Sequence, residues 1–451
     1  MKLKPLSTLA ITISLIAGTA PLQAEDLLEI YDLAVQNDPT LREAEQRLFA
    51  VRENRPQAQA LLLPDFSLSG TARYQDVETT PSDSRFGAAR NESFHSTSAR
   101  ATVRQPLFNR GSWMRLSQSK FTISQAEAQY QAAQLELMVK TAQAYFAVLE
   151  ASDSVRVFES LVAADERQLD QSRQRFEVGL VAITDVNESR AAYDRSRANL
   201  IRARNELDNA WEALRRIIGP MSVPLARLGD HVPLSPPDPN DINIWAETAL
   251  SNNFNVIAAR EAAEAARKGI EIERSAFFPT LGAEAGYSLS RSQATGSNDT
   301  DTAFIGLNLN VPLYQGGAVA SRTRQAGHQF RAAQERLDQQ RRETANQVRN
   351  AFRGVLSSIS DVEARQAAIT SARSALESTQ AGLDVGTRTQ VDVLNAQRNL
   401  FQAEFDYMTA RYSYIINGIL LHQGTSSLNR EVLAKGNAWL NPDDQIFPPA
   451  H

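Results

Sequence analysis

The chain has 451 residues, a net charge of −5, five histidines and no cysteine. Without cysteine it cannot contain disulfide bonds, thiolate metal sites or a lipid-anchored N-terminal cysteine. The acidic balance gives no reason to expect nucleic acid as a partner, because DNA and RNA are bound through clustered positive charge.

The first 24 residues have the pattern of a secretory signal peptide. Lys2 and Lys4 precede an apolar core over residues 6–17, and Leu-Gln-Ala ends at Ala24, the predicted cleavage site. Beyond it no apolar run approaches the roughly 20 residues that a membrane-spanning helix needs. An exported chain of this kind can enter a membrane only as a β-barrel.

The mature chain is predicted to be an internal repeat of two similar halves. Leu-Pro-Asp-Phe at 63–66 is matched by Phe-Pro-Thr-Leu at 278–281, and Gln-Pro-Leu-Phe at 105–108 by Val-Pro-Leu-Tyr at 311–314. In the first repeat, 25–219, we expect an incoming helix (about 40–62), strands (about 66–77 and 94–107), a long helix (108–178), a tip (176–187) and a return helix (185–218). A proline-rich connector follows at 220–253.

In the second repeat, 254–423, we expect the same order: an incoming helix (254–277), strands (about 281–292 and 302–313), a long helix (314–385), a tip (383–394) and a return helix (392–421). The tail, 424–451, is predicted to be irregular.

The predicted strands alternate between apolar and polar residues. In the last of them Ile305, Leu307 and Leu309 lie on one face, and Asn308 and Asn310 on the other. This period is typical of a transmembrane barrel strand and equally of any half-buried antiparallel sheet. Because the smallest barrels need about eight strands, four strands form either a small soluble sheet or part of a barrel shared by several chains.

The long helices are the second unusual feature. No proline interrupts the chain between Leu107 and Gly219 or between Leu313 and Asn441. Each long helix would extend roughly 100 Å at 1.5 Å per residue. The first has coiled-coil spacing, with apolar residues three and four positions apart at Leu135, Met138, Ala142, Tyr145 and Leu149.

The two tips are related in sequence. FEVGLVAITDVN at 176–187 and LDVGTRTQVDVL at 383–394 match at Val178/Val385, Gly179/Gly386, Asp185/Asp392 and Val186/Val393. Glycine can adopt the left-handed conformation that ends a helix, and Asp or Thr can cap the next one. Each stretch is therefore predicted to be the tip of a helical hairpin.

The sequence contains no recognisable catalytic or metal-binding motif. The five histidines fall in different segments, and there is no HExxH, GxSxG, phosphate-binding glycine loop or carboxylate cluster with metal spacing. We therefore expect no enzymatic activity, no cofactor and no metal site.

The repeat, the paired strands and the segments FEVGLVAITDV and VGTRTQVDVL resemble the TolC family of outer-membrane efflux and secretion channels. The resemblance covers essentially the whole mature chain, and the missing N-terminal cysteine separates it from the lipoprotein members. It implies a fold of mixed α and β structure, in which three chains share one twelve-stranded barrel in the outer membrane. The long hairpins would continue this barrel as a tunnel across the periplasm, surrounded at mid-height by the 220–253 and 424–451 segments.

The resemblance also implies partners: outer-membrane lipid, a periplasmic adaptor (membrane fusion) protein, and an inner-membrane efflux pump or ABC exporter. Drugs, or polypeptides in type I secretion, would pass through the duct. The family closes its tunnel with an aspartate ring, which matches Asp392, and Asn395 stands where the family has a second aspartate. Three carboxylates near one axis would attract cations.

The resemblance assigns two further sets of residues at the tips. A closing lock of hydrogen bonds and ion pairs matches Thr184, Asp185 and Arg388, and Leu383 stands where the family has a tyrosine. The adaptor-docking tips match Val178, Gly179, Leu180, Val385, Gly386 and Thr387. From the residues alone, Asp392 is better explained as a capping residue at a helix N-terminus.

The alternative is a soluble periplasmic coiled-coil adaptor or structural rod whose strands form a small sheet. A barrel made by one chain fits less well, because four strands are too few and the chain ends in His451 rather than in a strand.

Overall fold

The computed structural model describes residues 26–79, 90–220, 224–229, 231–294 and 299–448. The predicted signal peptide and His451 lie outside these residues. The first half contains, in order, α1 (Leu27–Asn37), α2 (Pro39–Arg52), α3 (Asn54–Ala60), β1 (Asp65–Thr79), β2 (Arg90–Phe108), α4 (Arg110–Glu177) and α5 (Ile183–Ile218). The incoming helix expected at 40–62 is thus divided into α2 and α3. Pro56 causes this break, because its ring cannot fit against the carbonyl of Arg52 in a continuous helix.

The connector and the second half follow. They comprise β3 (Leu225–Leu228), α6 (Ile242–Asn252), α7 (Phe254–Arg274), a short 3-10 turn (Ser275–Phe277), β4 (Thr280–Ser292), β5 (Thr300–Asn310), α8 (Ala318–Asp384), α9 (Gln390–Gly424), α10 (Arg430–Asn437) and β6 (Leu440–Ile446). The strand expected at 302–313 ends at Asn310, and the helix expected from 314 begins at Ala318. Gly316 and Gly317 separate them with φ angles of +60° and +80°, outside the range of either element.

The long strands form one antiparallel sheet in the order β1-β2-β4-β5. Phe66, Val103, Ala285 and Ile305 are register partners on one face. Asp65, Arg104, Glu284 and Gly306 are partners on the opposite face, where Arg104 forms an ion pair with Glu284 at 3.4 Å. The sheet therefore has an apolar and a polar face, with β1 and β5 at its edges.

The main hydrophobic core is built from both halves, the connector and the tail. Its largest fully buried side chains include Trp211, Tyr145, Phe146, Leu149, Leu214, Leu421 and Leu433. The Tyr145 hydroxyl donates a hydrogen bond of 2.8 Å to the Ala226 carbonyl in β3. β3 pairs with β6, so the predicted irregular tail is in fact ordered, with a helix and a strand that bury Leu433 and Ile446. None of the helices in the described ranges has a stretch long and apolar enough to span a membrane.

Candidate functional site at the helix tips

The first tip joins α4 to α5 through a left-handed glycine. Gly179 has φ +73°. Its N–H donates to the Phe176 carbonyl at 2.9 Å, and the Leu180 N–H donates to the Arg175 carbonyl at 2.8 Å. These two bonds form a Schellman motif, which satisfies the last carbonyls of α4 and turns the chain sharply.

The second tip repeats this geometry between α8 and α9. Gly386 has φ +79°, its N–H donates to the Leu383 carbonyl at 3.1 Å, and the Thr387 N–H donates to the Gly382 carbonyl at 2.8 Å. The predicted glycine caps are therefore confirmed at both tips. The sequence match reflects the same left-handed turn in each hairpin.

The start of the return helix differs between the two tips. Thr389 caps α9, whereas α5 begins after Ala182 with no side-chain cap. The expectation of an Asp or Thr cap is therefore wrong for the first tip. Thr184 and Asp185 lie one and two residues inside α5, beyond the capping position.

Both tips expose apolar side chains. Val178, Leu180 and Val385 are 70%, 74% and 76% exposed. Because these residues flank the left-handed glycines, each hairpin presents a small apolar surface at its end.

Asp392 lies in the first turn of α9 and is part of a capping box. The Asp392 N–H donates to the Thr389 hydroxyl at 3.2 Å, and the Asp392 carboxylate accepts from the Thr389 N–H at 2.9 Å. The bonds from the Thr389 backbone and side chain, and the nearby Arg388 charge, lower the pKa of Asp392. The carboxylate is therefore ionised at neutral pH. Asn395 follows on the same helical face, exposed to solvent, and accepts from Arg398 at 3.4 Å.

The four residues matched to a lock lie on both tips. Within the described part of the chain, no ion pair joins Arg388 to Asp185. The Arg388 side chain instead lies on its own hairpin, since a Cβ atom at Gly382 would come within 2.6 Å of its Cγ atom. Leu383, in the last turn of α8, is half-buried, and Thr184 is exposed.

Similarity to known proteins identifies the family. The family model described as "Outer membrane efflux protein" matches residues 30–220 and 245–423. The chain belongs to the outer membrane efflux protein family.

Several known proteins are similar to most of the chain. Outer membrane protein TolC of Salmonella enteritidis is 35% identical over 450 residues, covering 98% of this chain and 90% of that protein. TolC of Vibrio cholerae is 35% identical over 443 residues, covering 97% and 99%. The alkaline protease secretion protein AprF of Pseudomonas aeruginosa is 31% identical over 396 residues, covering 86% and 82%.

Solved structures share the fold. The Campylobacter jejuni CmeC outer membrane channel has a TM-score of 0.76 at 18% identity, covering 92% of this chain and 89% of that one. The outer membrane protein VceC of Vibrio cholerae has a TM-score of 0.74 at 17% identity, covering 88% and 95%. This outer membrane efflux protein is thus mostly helical, with the four long strands of its family's fold.

The structure adds contacts to the efflux protein's tips that the sequence did not indicate. Arg175 in α4 forms an ion pair with Asp384 in α8, with 3.6 Å between Nη2 and Oδ1. Ser172 and Ser189 are buried between α4 and α5, with their hydroxyl oxygens 3.0 Å apart. No sequence signal linked these pairs, because their partners are separated along the chain and follow no motif.

A buried polar contact joins the two halves above the tips. Asp165 in α4 accepts a hydrogen bond of 3.0 Å from Gln397 in α9, and both side chains are buried. Burial raises the pKa of Asp165, against the opposing effects of the Ser196 hydroxyl and of nearby arginines. The hydrophobic period gives no signal for this acid, because Asp165 is a charged residue at a buried position.

Proposed function

We propose that three copies of this chain form one exit duct through the outer membrane, closed at the helix tips and opened when an adaptor and an inner-membrane pump dock. The observation that carries the proposal is the sheet with an apolar face and two open edges. Leu68 and Ile305 on that face are 82% and 87% exposed in the single chain. An apolar face of this size requires a cover, and lipid provides one for a barrel strand.

The open edges support a barrel made by several chains. β1 and β5 each lack a second neighbour within the described residues, and an unpaired edge is a template for another strand. Joining β5 of one copy to β1 of the next would close twelve strands from three copies.

The helices support a tunnel in line with this barrel. α2 and α3 pack on α4, α4 packs on α7, and α7 packs on α8. This order corresponds to β1-β2-β4-β5, so the helical wall continues the order of the sheet. The matching order of elements in 25–219 and 254–423 also supports the internal repeat. The connector and tail, which pack together through β3 and β6, would form the mid-height belt.

Fractionation tests this assembly. The protein should need detergent for extraction from the outer membrane and should migrate as a trimer. Recovery in the soluble periplasmic fraction as a monomer would instead support an adaptor or structural rod.

We assign the gate to a ring of three Asp392 carboxylates, with Asn395 forming a neutral ring one turn further along. The two residues share a helical face because they are three positions apart. A single carboxylate ring should attract cations and be blocked by multivalent ones, more weakly than two stacked rings would be. Thr184, Asp185 and Arg388, with packing from Leu383, would hold the tips together between neighbouring protomers.

Two substitutions separate the charge of Asp392 from its capping role. Asp392→Asn removes the charge but keeps an oxygen that can accept from the Thr389 N–H. Thr389→Ala keeps the charge but removes the capping hydroxyl. In planar bilayers, Asp392→Asn should abolish block by a trivalent cation, whereas Thr389→Ala should retain it. Equal block in Asp392→Asn and wild type would rule out the ring.

We assign adaptor docking to the tips, at Val178, Gly179 and Leu180 and at Val385, Gly386 and Thr387. A Cβ atom at Gly179 or Gly386 would meet no atom within 4 Å, so a large side chain there would project outward. Gly179→Trp and Gly386→Trp should therefore abolish drug export by blocking a partner, with trimer yield retained. Asn, which tolerates the left-handed conformation, is the control for backbone strain and should reduce export less. Wild-type drug resistance in both Trp variants would contradict docking at these tips.

The names of the family and of one relative indicate which substances the duct would carry. The family description names efflux, and AprF is named for secretion of an alkaline protease. We therefore propose both small-molecule efflux and type I protein secretion as uses of the same duct.

A further inference from the structure

The ion pair between Arg175 and Asp384 connects the two hairpins of one protomer close to their tips. Arg175 lies in the last turn of α4, and Asp384 is the last residue of α8. Nη2 of Arg175 is 3.6 Å from Oδ1 of Asp384, and the side chains are 34% and 57% exposed. The contact therefore crosses from the α4–α5 hairpin to the α8–α9 hairpin.

The α8 helix does not itself stabilise the negative charge of Asp384. The C-terminus of a helix carries partial negative charge, so a carboxylate there is unfavourable. The Schellman motif at Gly386 and the Thr387 hydroxyl, which donates to the Gly382 carbonyl at 3.1 Å, already satisfy the final carbonyls of α8 without any contribution from Asp384. Arg175 is the group that compensates the charge of Asp384, and at the end of α4 a cation is also favourable.

Arg388 does not form the ion pair that joins the two hairpins. Its side chain lies against Gly382, whose carbonyl accepts from the N–H groups of Thr387 at 2.8 Å and Arg388 at 3.2 Å. Arg388 is thus directed along its own hairpin. Among the described tip residues, the ion pair between hairpins is formed by Arg175 and Asp384.

We propose that Arg175 and Asp384 are positioning residues that clamp the second hairpin against the first in the closed state and separate when the duct opens. This proposal rests on the proposed gate function. Partly exposed ion pairs are weak, so each variant should raise the open probability of the channel only roughly two- to fivefold. Three copies of the pair would act on the same constriction.

The charges predict similar effects for the two single variants. Arg175→Ser and Asp384→Ser each remove the pair between the hairpins. The repulsion between Asp384 and the end of its own helix is the same in the closed and open states, so it does not change the open probability. The double exchange, Arg175→Asp with Asp384→Arg, restores a pair and should return the open probability toward wild type.

Arg173→Ser is the matched control. Arg173 lies two residues before Arg175 and pairs with Asp170 of the same helix at 3.4 Å. The Arg173→Ser substitution removes the same charge from the same end of α4 without breaking a contact between hairpins. The open probability of this variant should therefore equal that of wild type.

Planar-bilayer recordings of purified trimers test the clamp. A second test uses the absence of native cysteine: Arg175→Cys with Asp384→Cys, joined by a short cleavable crosslinker, should hold the channel closed until the link is cleaved. The clamp is wrong if Arg175→Ser behaves as Arg173→Ser and the crosslinked channel opens normally, while wild type still forms a gated pore. A wild-type trimer that forms no pore would instead overturn the proposed function, and the clamp with it.

Discussion

At the scale of single residues, the sequence was most informative where backbone geometry restricts the choice of amino acid. Gly179 and Gly386 were identified as helix-ending residues, and both have positive φ angles. An Asp or Thr cap was expected at each tip. Thr389 provides it at the second tip, whereas Ala182 stands there at the first, because the backbone can start a helix without a side-chain acceptor at some cost in stability. The roles assigned to Asp392 and Arg388 remain predictions, since they concern contacts in the proposed trimer.

Asp153 is a residue whose role only the structure reveals. Its carboxylate is buried in α4 and accepts from Arg227 in β3 at 2.9 Å and from Tyr412 in α9 at 2.7 Å. Asp444 also lies 3.3 Å from Arg227 but is about half exposed. One carboxylate thus joins the first half, the second half and the connector.

We predict that Asp153→Ala lowers the free energy of unfolding by about 3–5 kcal/mol, because it removes a buried carboxylate and leaves the mostly buried Arg227 without its main partner. Asp444→Ala is the control and should cost at most about 1 kcal/mol, since its ion pair is exposed to water. Denaturant unfolding of the detergent-solubilised protein measures both. Equal losses in the two variants would argue against the buried contact as the dominant one.

At the scale of elements, long and strongly periodic segments were predictable and short ones were not. α4 and α8 were expected from uninterrupted helix-forming sequence, and β1, β2, β4 and β5 from clean alternation. β3, β6 and α10 were missed because they are too short to show a period. They are stabilised by packing of residues such as Leu433 and Ile446 in the shared core.

β5 provides a test of which sheet face meets lipid. Leu307 lies on the apolar face with Ile305 and Leu309, and Asn308 lies on the opposite face. We predict that Leu307→Arg destabilises the assembled barrel by roughly 2–4 kcal/mol if it lies near the bilayer midplane. Asn308→Arg, one residue away, should be nearly neutral. The fraction of trimer that survives heating in detergent measures the effect, and equal losses would place neither face in lipid.

At the scale of the whole molecule, the two halves are joined by polar contacts as well as by the apolar core. Asp165 with Gln397, and Asp153 with Tyr412, each link α4 of the first half to α9 of the second. The repeat was predicted from matched segments, but these links could not be predicted. They connect residues more than 200 positions apart, and only the packing of α4 against α9 brings them together.

Asp165 makes this junction dependent on pH. Burial raises its pKa above that of an unfolded chain, so the folded protein favours the protonated acid. Protonated Asp165 therefore stabilises the folded state. This stabilisation is fully present below about pH 4, the pKa range of an ordinary Asp, and is lost as pH rises through the raised pKa of the folded state. As pH rises above that range, the charge that develops on the buried carboxylate therefore weakens the junction.

Asp165→Asn should consequently raise the thermal unfolding midpoint at neutral pH and leave it nearly unchanged near pH 4, because Asn can still accept from Gln397 without carrying charge. Asp170→Asn, on the same helix but mostly exposed, is the control and should shift the midpoint little at either pH. Circular dichroism of the detergent-solubilised protein as a function of temperature and pH provides the measurement. A lower midpoint for Asp165→Asn at neutral pH would mean that the Gln397, Ser196 and arginine contacts stabilise the carboxylate by more than its burial costs.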